Sequence, residues 1–321
     1  MPTRSALAAT PWPSKLQPLV EDALDSLLPS LSMQPQTLHR AMRHAVFSGG
    51  RRLRPLFLLK VAQACRVQPA AQELTLRAAC AVELVHVASL VHDDLPCFDD
   101  RAERHGRPTV YALFGEAQAI LAGDALIARG FEVLASTPHT LAARALRLVR
   151  LLARATGSHS GLAGGQGLEQ NFCECPSSPE RAERYQELKT GALFALAGET
   201  AAVIAAAPQP SAWAEIGWQV GRAYQLAHAL TMLPPAASPA RGAEQDSAPP
   251  CPWLAPGCTD ALTLARLRTL ATAVHERVES LAAEPQPLHA FLDEQCSALR
   301  LPDWYPSAPA ERPGTSFTQR R

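Results

Sequence analysis

The sequence predicts an all-α protein built around one long hydrophobic core. Alanine and leucine dominate while β-branched alternation is scarce. Apolar residues recur at helical spacing in nearly every window, and proline-rich punctuation separates the periodic stretches. No strand–helix–strand alternation and no internal repeat is present.

Taken in order, the periodicity predicts helices over Pro18–Leu28, Thr37–Val46, Arg54–Cys65 and Ala70–His92. Further helices are predicted over Ala117–Leu134, Pro138–Thr156 and Pro179–Ala207, and then over Ser211–Leu233, Thr259–Glu284 and Pro287–Leu299. Several open on or just after a proline, which suits a first helical turn whose N–H groups have no partner. Residues 16–300 are read as a single domain, preceded by an extension over 1–15 and followed by a loose tail over 301–321. Within the domain, 234–256 is rich in proline and poor in periodicity, and reads as a loop insertion.

Length and charge narrow the possibilities. A chain of 321 residues can bury a large core. Hydrophobic residues at 47% and charged residues at 19% are a globular composition. Lys plus Arg equals Asp plus Glu at 30 each, so no global field attracts nucleic acid or anionic lipid, and anion binding must come from a local cluster. No run of about 18 uncharged apolar residues predicts a membrane span, and the proline-broken N-terminus is a poor signal peptide. A cytoplasmic protein is expected. The eight cysteines (Cys65, Cys80, Cys97, Cys173, Cys175, Cys251, Cys258 and Cys296) show no paired C-x-x-C spacing, so reduced, mostly buried thiols are expected. Cys173 and Cys175 alone do not make a zinc site.

The most informative run is Val91-His92-Asp93-Asp94-Leu95-Pro96-Cys97-Phe98-Asp99-Asp100, directly after an apolar helical stretch. Carboxylates this closely packed repel one another unless a cation joins them. All-oxygen ligands suit Mg²⁺, which keeps waters and shares substrate phosphates. The alternative is a solvated acidic loop. Upstream, Gly49-Gly50-Arg51-Arg52-Leu53-Arg54-Pro55 sets three arginines behind two glycines at a helix entry, a pattern that suits an oxyanion or else a basic helix start on the surface. His86 precedes Asp93 by seven residues, about two turns, and so shares its face; a core histidine is the other reading. Arg104-His105-Gly106-Arg107-Pro108-Thr109, Gly164-Gly165-Gln166-Gly167-Leu168-Glu169 and Lys189-Thr190-Gly191 follow. Each is weak alone, but their order and spacing together are informative.

In that order, GGRRLRP, ELVHVASLVHDDLPCFDD, GRPT, LAGDALIARGFEVLA, GGQGLE and LKTGALF resemble the trans-isoprenyl (polyprenyl) diphosphate synthases, most nearly the bacterial geranylgeranyl diphosphate synthases of the carotenoid type. The resemblance runs from about Ala41 to Gln225. It implies an isoprenoid-synthase-like helical bundle with a central cavity, in which isopentenyl diphosphate is condensed with an allylic diphosphate. It further implies that Asp93, Asp94 and Asp99 bind Mg²⁺ bridging to the allylic diphosphate. Arg51, Arg54 and His86 match the isopentenyl diphosphate pocket, with Arg51 in place of the usual lysine. Arg104, Lys189 and Thr190 match the allylic diphosphate clamps, and Gln225 the glutamine before a second aspartate-rich motif. Asp93, Asp94 and Lys189 are the implied catalytic set. The small residues Ala88 and Ser89 stand where a bulky aromatic would stop chain growth, which favours a geranylgeranyl product; ordinary small-residue helix packing is the other reading. A homodimer, or a heterodimer with an active synthase, is implied as well.

The chain departs from this pattern downstream. Where the family has a second aspartate-rich motif, Tyr224-Gln225-Leu226-Ala227-His228-Ala229-Leu230-Thr231-Met232 has no carboxylate. Arg241-Gly242 is a reduced form of the family's lysine–glycine loop, and Asp246 is a candidate remnant ligand. His105 replaces a second arginine after Arg104. A Lewis-acid metal contributes several kcal/mol to a transition state, so losing one of three metal positions predicts a slowdown on the order of a thousandfold. Three readings follow: a divergent working synthase, a non-catalytic or regulatory subunit of a heteromeric synthase, and an isoprenoid-diphosphate-binding protein.

Overall fold

The computed structural model describes residues 12–13, 15–137, 139–170, 179–232 and 260–298. Among these the chain is helical apart from one two-stranded ribbon, as the periodicity predicted. The 234–256 insertion, the 301–321 tail, Asp246 and Cys173, Cys175, Cys251 and Cys258 lie outside the described residues.

The first helices are α1 (Leu16–Leu27), α2 (Gln36–Phe47), α3 (Leu53–Ala64) and, after one 3₁₀ turn, α4 (Gln72–Asp93). On α1 only Leu16, Val20 and Leu24 are buried, an i, i+4, i+8 stripe that fixes its face. On α4 fifteen residues are buried, and only its N-terminal turns and a few flanking positions meet water. A helix apolar nearly all round belongs at the centre of a bundle. By length and composition the stretch Pro69–Asp93 could cross a membrane, but 72% of its most apolar window is buried against the rest of the protein.

The ribbon β1 (Glu103–Arg104) and β2 (Arg107–Pro108) follows, then α5 (Val110–Phe114), α6 (Glu116–Ala135), α7 (Ala142–Thr156) and α8 (Leu162–Gln170). The amphipathic α7 buries Ala145, Leu148, Leu151, Leu152 and Ala155 and sets its arginines outward. Where one helix was expected over Pro179–Ala207, there are α9 (Pro179–Gln186), a π turn over Glu187–Gly191 and α10 (Ala192–Ile204). Every residue of α10 is buried. The chain continues as α11 (Pro210–Met232), α12 (Asp260–Leu281) and α13 (Gln286–Ala298).

Packing is organised around α4 and α10. α4 lies against α3 and α6, and α10 against α3 and α11. Phe57 of α3 and Phe194 of α10 meet edge to face with centroids 5.7 Å apart, and Trp213 is fully buried where α11 begins. Each such side chain removed from water contributes about 1.5–3 kcal/mol, so these contacts fix the helix ends that carry the polar residues described next.

Candidate active site

α4 ends at Asp93, and the next residues fold back on it. The Asp99 N–H donates to the Asp93 carbonyl at 2.9 Å, and the Arg101 N–H to that of Asp94 at 3.1 Å. The loop therefore returns Asp99 to the helix end; the two leading carboxylates are buried, while residues 96–100 are exposed. Asp93 is 4% and Asp94 5% exposed. Asp99 is exposed and pairs with Arg101 at 3.1 Å.

The two buried carboxylates meet different cations. Asp94 Oδ1 accepts from Arg104 Nε at 2.9 Å and lies 2.7 Å from Nη2. The ribbon sets Arg104 there: His105 and Gly106 both take left-handed backbone at φ 53° and 71°, the conformation a two-residue hairpin turn requires. His44 Nε2 bonds the Pro108 carbonyl at 2.8 Å and Arg107 donates to the Phe47 carbonyl at 3.1 Å, so α2 anchors the ribbon. Burial pushes the Asp94 carboxyl above the usual range, against the opposing pull of Arg104.

Asp93 turns to the other side. Gln166 Nε2 of α8 donates to its Oδ1 at 2.8 Å, and Lys189 Nζ of the π turn lies 3.5 Å from its Oδ2. Lys189 also bonds Glu169, which accepts from the Tyr185 hydroxyl at 2.6 Å. α8 reaches this point because Gly165 has no side chain: a Cβ there would stand 2.6 Å from the Lys189 nitrogen. The wide turn presents Lys189 and buries Thr190 beside it; such turns occur often at functional sites.

On the Asp94 side lies a cavity of about 440 Å³, within the range of small-molecule sites. Arg51, Arg54, His86, Asp94, Arg104 and His105 share its wall. The glycines before the arginines have φ of 122° and 104°, which only glycine adopts without strain. Arg54 Nη1 lies 3.0 Å from His86 Nε2. Burial, and then the charge of Arg54 and its neighbours, drives the His86 pKa well down, so the neutral ring accepts at Nε2 and carries its proton on Nδ1. His86 thus faces Arg54 on the cavity wall and is not a plain core histidine. All three arginines line the cavity, and the Arg52 guanidinium is already engaged there by Glu21, Glu83 and the Val46 carbonyl.

Gln225 is half-buried on α11, next to Tyr224, which lines the same cavity. Ser89 is nearly buried, and its carbonyl accepts from Gln166 at 3.3 Å. Ala88 is fully buried. It falls between Val85 and His92, both of which face α6 glycines, and so on the stripe that α6 covers. His228 lies on α11; the side chains of Ala229 and Met232 are outside the described residues.

The donors suit a hard cation. Among the described residues no three carboxylate, imidazole or thiol side chains converge on one point, so a bound metal would take one or two carboxylates here and complete its shell with substrate oxygens and water, as Mg²⁺ does. Gln166, Glu169, Tyr185 and Glu83 were not expected at the site. The GGQGLE motif carried two of them, but without a partner there was no chemical role to assign.

Much of the chain is similar to known proteins. Residues 35–228 match the family model described as polyprenyl synthetase. The geranylgeranyl diphosphate synthase of Cereibacter sphaeroides is 46% identical over 199 residues, covering 62% of this chain and 66% of that protein; the match thus spans just under two thirds of that relative. The large subunit 1 of the heterodimeric geranylgeranyl pyrophosphate synthase of Arabidopsis thaliana is 43% identical over 151 residues, 46% of this chain and 39% of that one. The apo crystal structure of a FPP/GFPP synthase from Zymomonas mobilis superposes with a TM-score of 0.74 at 29% identity, covering 86% of this chain and 94% of that one.

Proposed function

We propose that this chain, which belongs to the polyprenyl synthetase family, is a prenyltransferase that condenses isopentenyl diphosphate with an allylic diphosphate to give geranylgeranyl diphosphate. The observation that carries the reading is the position of Asp93 and Asp94 between two sets of cations, Lys189 on one side and Arg104, Arg51 and Arg54 on the other. Two diphosphates held side by side need that arrangement.

In this reading Arg104, Lys189 and Thr190 hold the allylic diphosphate, and Arg51, Arg54 and neutral His86 hold that of isopentenyl diphosphate. The family implies a divalent metal cofactor; Asp93, Asp94 and Asp99 would hold Mg²⁺, one or two carboxylates to an ion, and that charge would neutralise the departing diphosphate. Arg104 and Lys189 add fixed positive charge at the same group, where charge develops in a site shielded from water. As the allylic C1–O bond breaks, the C4 alkene of isopentenyl diphosphate attacks C1, and a proton is lost to the released diphosphate. Gln225 follows Tyr224 of the cavity wall on α11, and the small residues Ala88, covered by α6, and Ser89 are the positions that would set product length. Positioning supplies much of the remaining acceleration. No protein nucleophile is needed.

A second reading rests on His228, Ala229 and Met232, where the family has carboxylates. The chain would then turn over slowly, or serve as the non-catalytic or regulatory partner of an active synthase. Leu113, Ile120 and Leu121 of α5 and α6 are 46–52% exposed, an apolar surface that supports assembly as a homodimer or with such a partner. We place the protein in the cytoplasm, a location with which the burial of α4 agrees.

Purified protein with Mg²⁺, isopentenyl diphosphate and farnesyl diphosphate should yield a C20 product. No product alone, but a changed rate or length when an active homologue is added, would establish the second reading. Allylic diphosphate binding with neither effect would leave a binding protein.

A further inference from the structure

Glu83 and Asp94 are the two acidic residues on the wall of the basic cavity. Asp94 has an evident task there. Glu83 stands on the same face of α4 one turn before His86, with its side chain 4% exposed. A carboxylate buried beside a site meant for anions repels the ligand, and its retention calls for a reason. One oxygen, Oε1, accepts from Arg52 Nη1 at 2.9 Å; the other is buried with no hydrogen-bond partner in the structure.

Arg52 holds the start of α3 in an unfavourable conformation. Its backbone is left-handed at φ 51°, a conformation that strains a residue other than glycine. Glu21 takes its Nε and Nη2 at 2.9 and 3.1 Å, the Val46 carbonyl takes Nη2 as well, and Glu83 takes Nη1. Arg51, immediately before, and Arg54, two residues later, line the same cavity as Arg52 and Glu83. The direction in which the chain leaves Arg52 therefore sets where both of them end.

We propose that Glu83 is a positioning residue for the isopentenyl diphosphate pocket, acting through Arg52 to aim Arg51 and Arg54. The inference rests on the prenyltransferase reading and adds to it the residue that shapes one of the two diphosphate sites. Glu83 touches no substrate. Its charge disfavours the ligand, and its hold on Arg52 outweighs that cost.

The test separates aim from charge and from stability. Isothermal titration of the full chain with inorganic pyrophosphate and with isopentenyl diphosphate is compared with steady-state KM for both substrates. Glu83→Leu should weaken isopentenyl diphosphate tenfold or more and leave the allylic KM within about twofold, with Glu83→Gln, which keeps one acceptor, in between. A charged bystander would do the opposite, because removing its repulsion tightens binding; equal or tighter binding in both variants overturns the proposal, as does an equal loss for both substrates. The pair Arg52→Met with Glu83→Leu replaces the buried ions by apolar groups and should regain the thermal midpoint lost in Glu83→Leu while isopentenyl diphosphate stays weak. Recovery of both would show a purely structural role and sink the idea. If Glu83→Leu does not fold, the paired variant alone decides by the same criterion. A wild-type chain that binds neither pyrophosphate nor isopentenyl diphosphate overturns the functional reading and this inference with it, whereas normal wild-type binding with unaffected variants removes the inference alone.

Discussion

Asp93 and Asp94 are neighbours in the chain, yet one bonds Gln166 and faces Lys189 while the other bonds Arg104. Consecutive residues at a helix end point about 100° apart, and here that angle spans two separate sets of cations. Asp94→Ala should leave Arg104 without its partner and abolish Mg²⁺-dependent binding of farnesyl diphosphate, a loss of at least tenfold by titration. Unchanged binding would remove Asp94 from the site.

Gly165 holds α8 against the π turn. Gly165→Ala puts a methyl group 2.6 Å from the Lys189 nitrogen, where the neighbour is backbone and cannot swing aside. Overpacking of this kind costs about 1–3 kcal/mol. The thermal midpoint should fall, and turnover with it, as Gln166 and Lys189 are pushed apart. The same change at Gly167, where a Cβ meets nothing within 4 Å, is the control and should leave the midpoint nearly unmoved.

His86 is buried neutral, with its pKa held well below the ordinary histidine value. The unfolded chain takes up a proton there near pH 6.5 while the folded one does not. Its contribution to stability is therefore complete above that pH and declines as pH falls toward the lower, folded value. Chemical denaturation between pH 7.5 and 5 should show a steeper loss for the wild-type chain than for His86→Gln. Parallel curves would mean that His86 titrates normally.

Ala88 and Ser89 are the proposed chain-length positions. Ser89→Phe should shorten the product, turning C20 toward C15 in a chromatographic assay, because an aromatic ring fills about the length of one prenyl unit, close to one helical turn of 5.4 Å. Ala88→Phe meets α6 directly and should cost more stability than Ser89→Phe, measured as the lower thermal midpoint.

The lost carboxylates can be restored. His228→Asp, Ala229→Asp and Met232→Asp together should raise turnover by tenfold or more if a missing metal position limits the rate. An unchanged rate would place the limit elsewhere.

The long helices were legible because their burial is periodic, and nearly every predicted span is present within a few residues of its ends. α8 was not, since Leu162-Ala-Gly-Gly-Gln-Gly has too many glycines to read as helix. The break between α9 and α10 was equally hidden, because a π turn leaves the apolar pattern almost intact. At the site, the acidic run and the arginines of the cavity wall could be named from sequence. That Arg52 is the one tied to carboxylates could not: three arginines within four residues look alike until Glu21 and Glu83, each 31 residues away, are seen to meet one of them. Gln166 failed for the same reason, with its partner Asp93 lying 73 positions earlier.

The π turn at Glu187–Gly191 has a consequence for how the chain tolerates change in length. A widened turn is one residue more than the regular spiral requires, so deleting a residue within it would restore ordinary winding and leave α10 facing as it does now. Deleting one from α10 itself would rotate everything beyond by about 100° and turn its wholly enclosed surface toward solvent. The surplus residue is a local slack that lets a lysine be presented without disturbing the rod that follows.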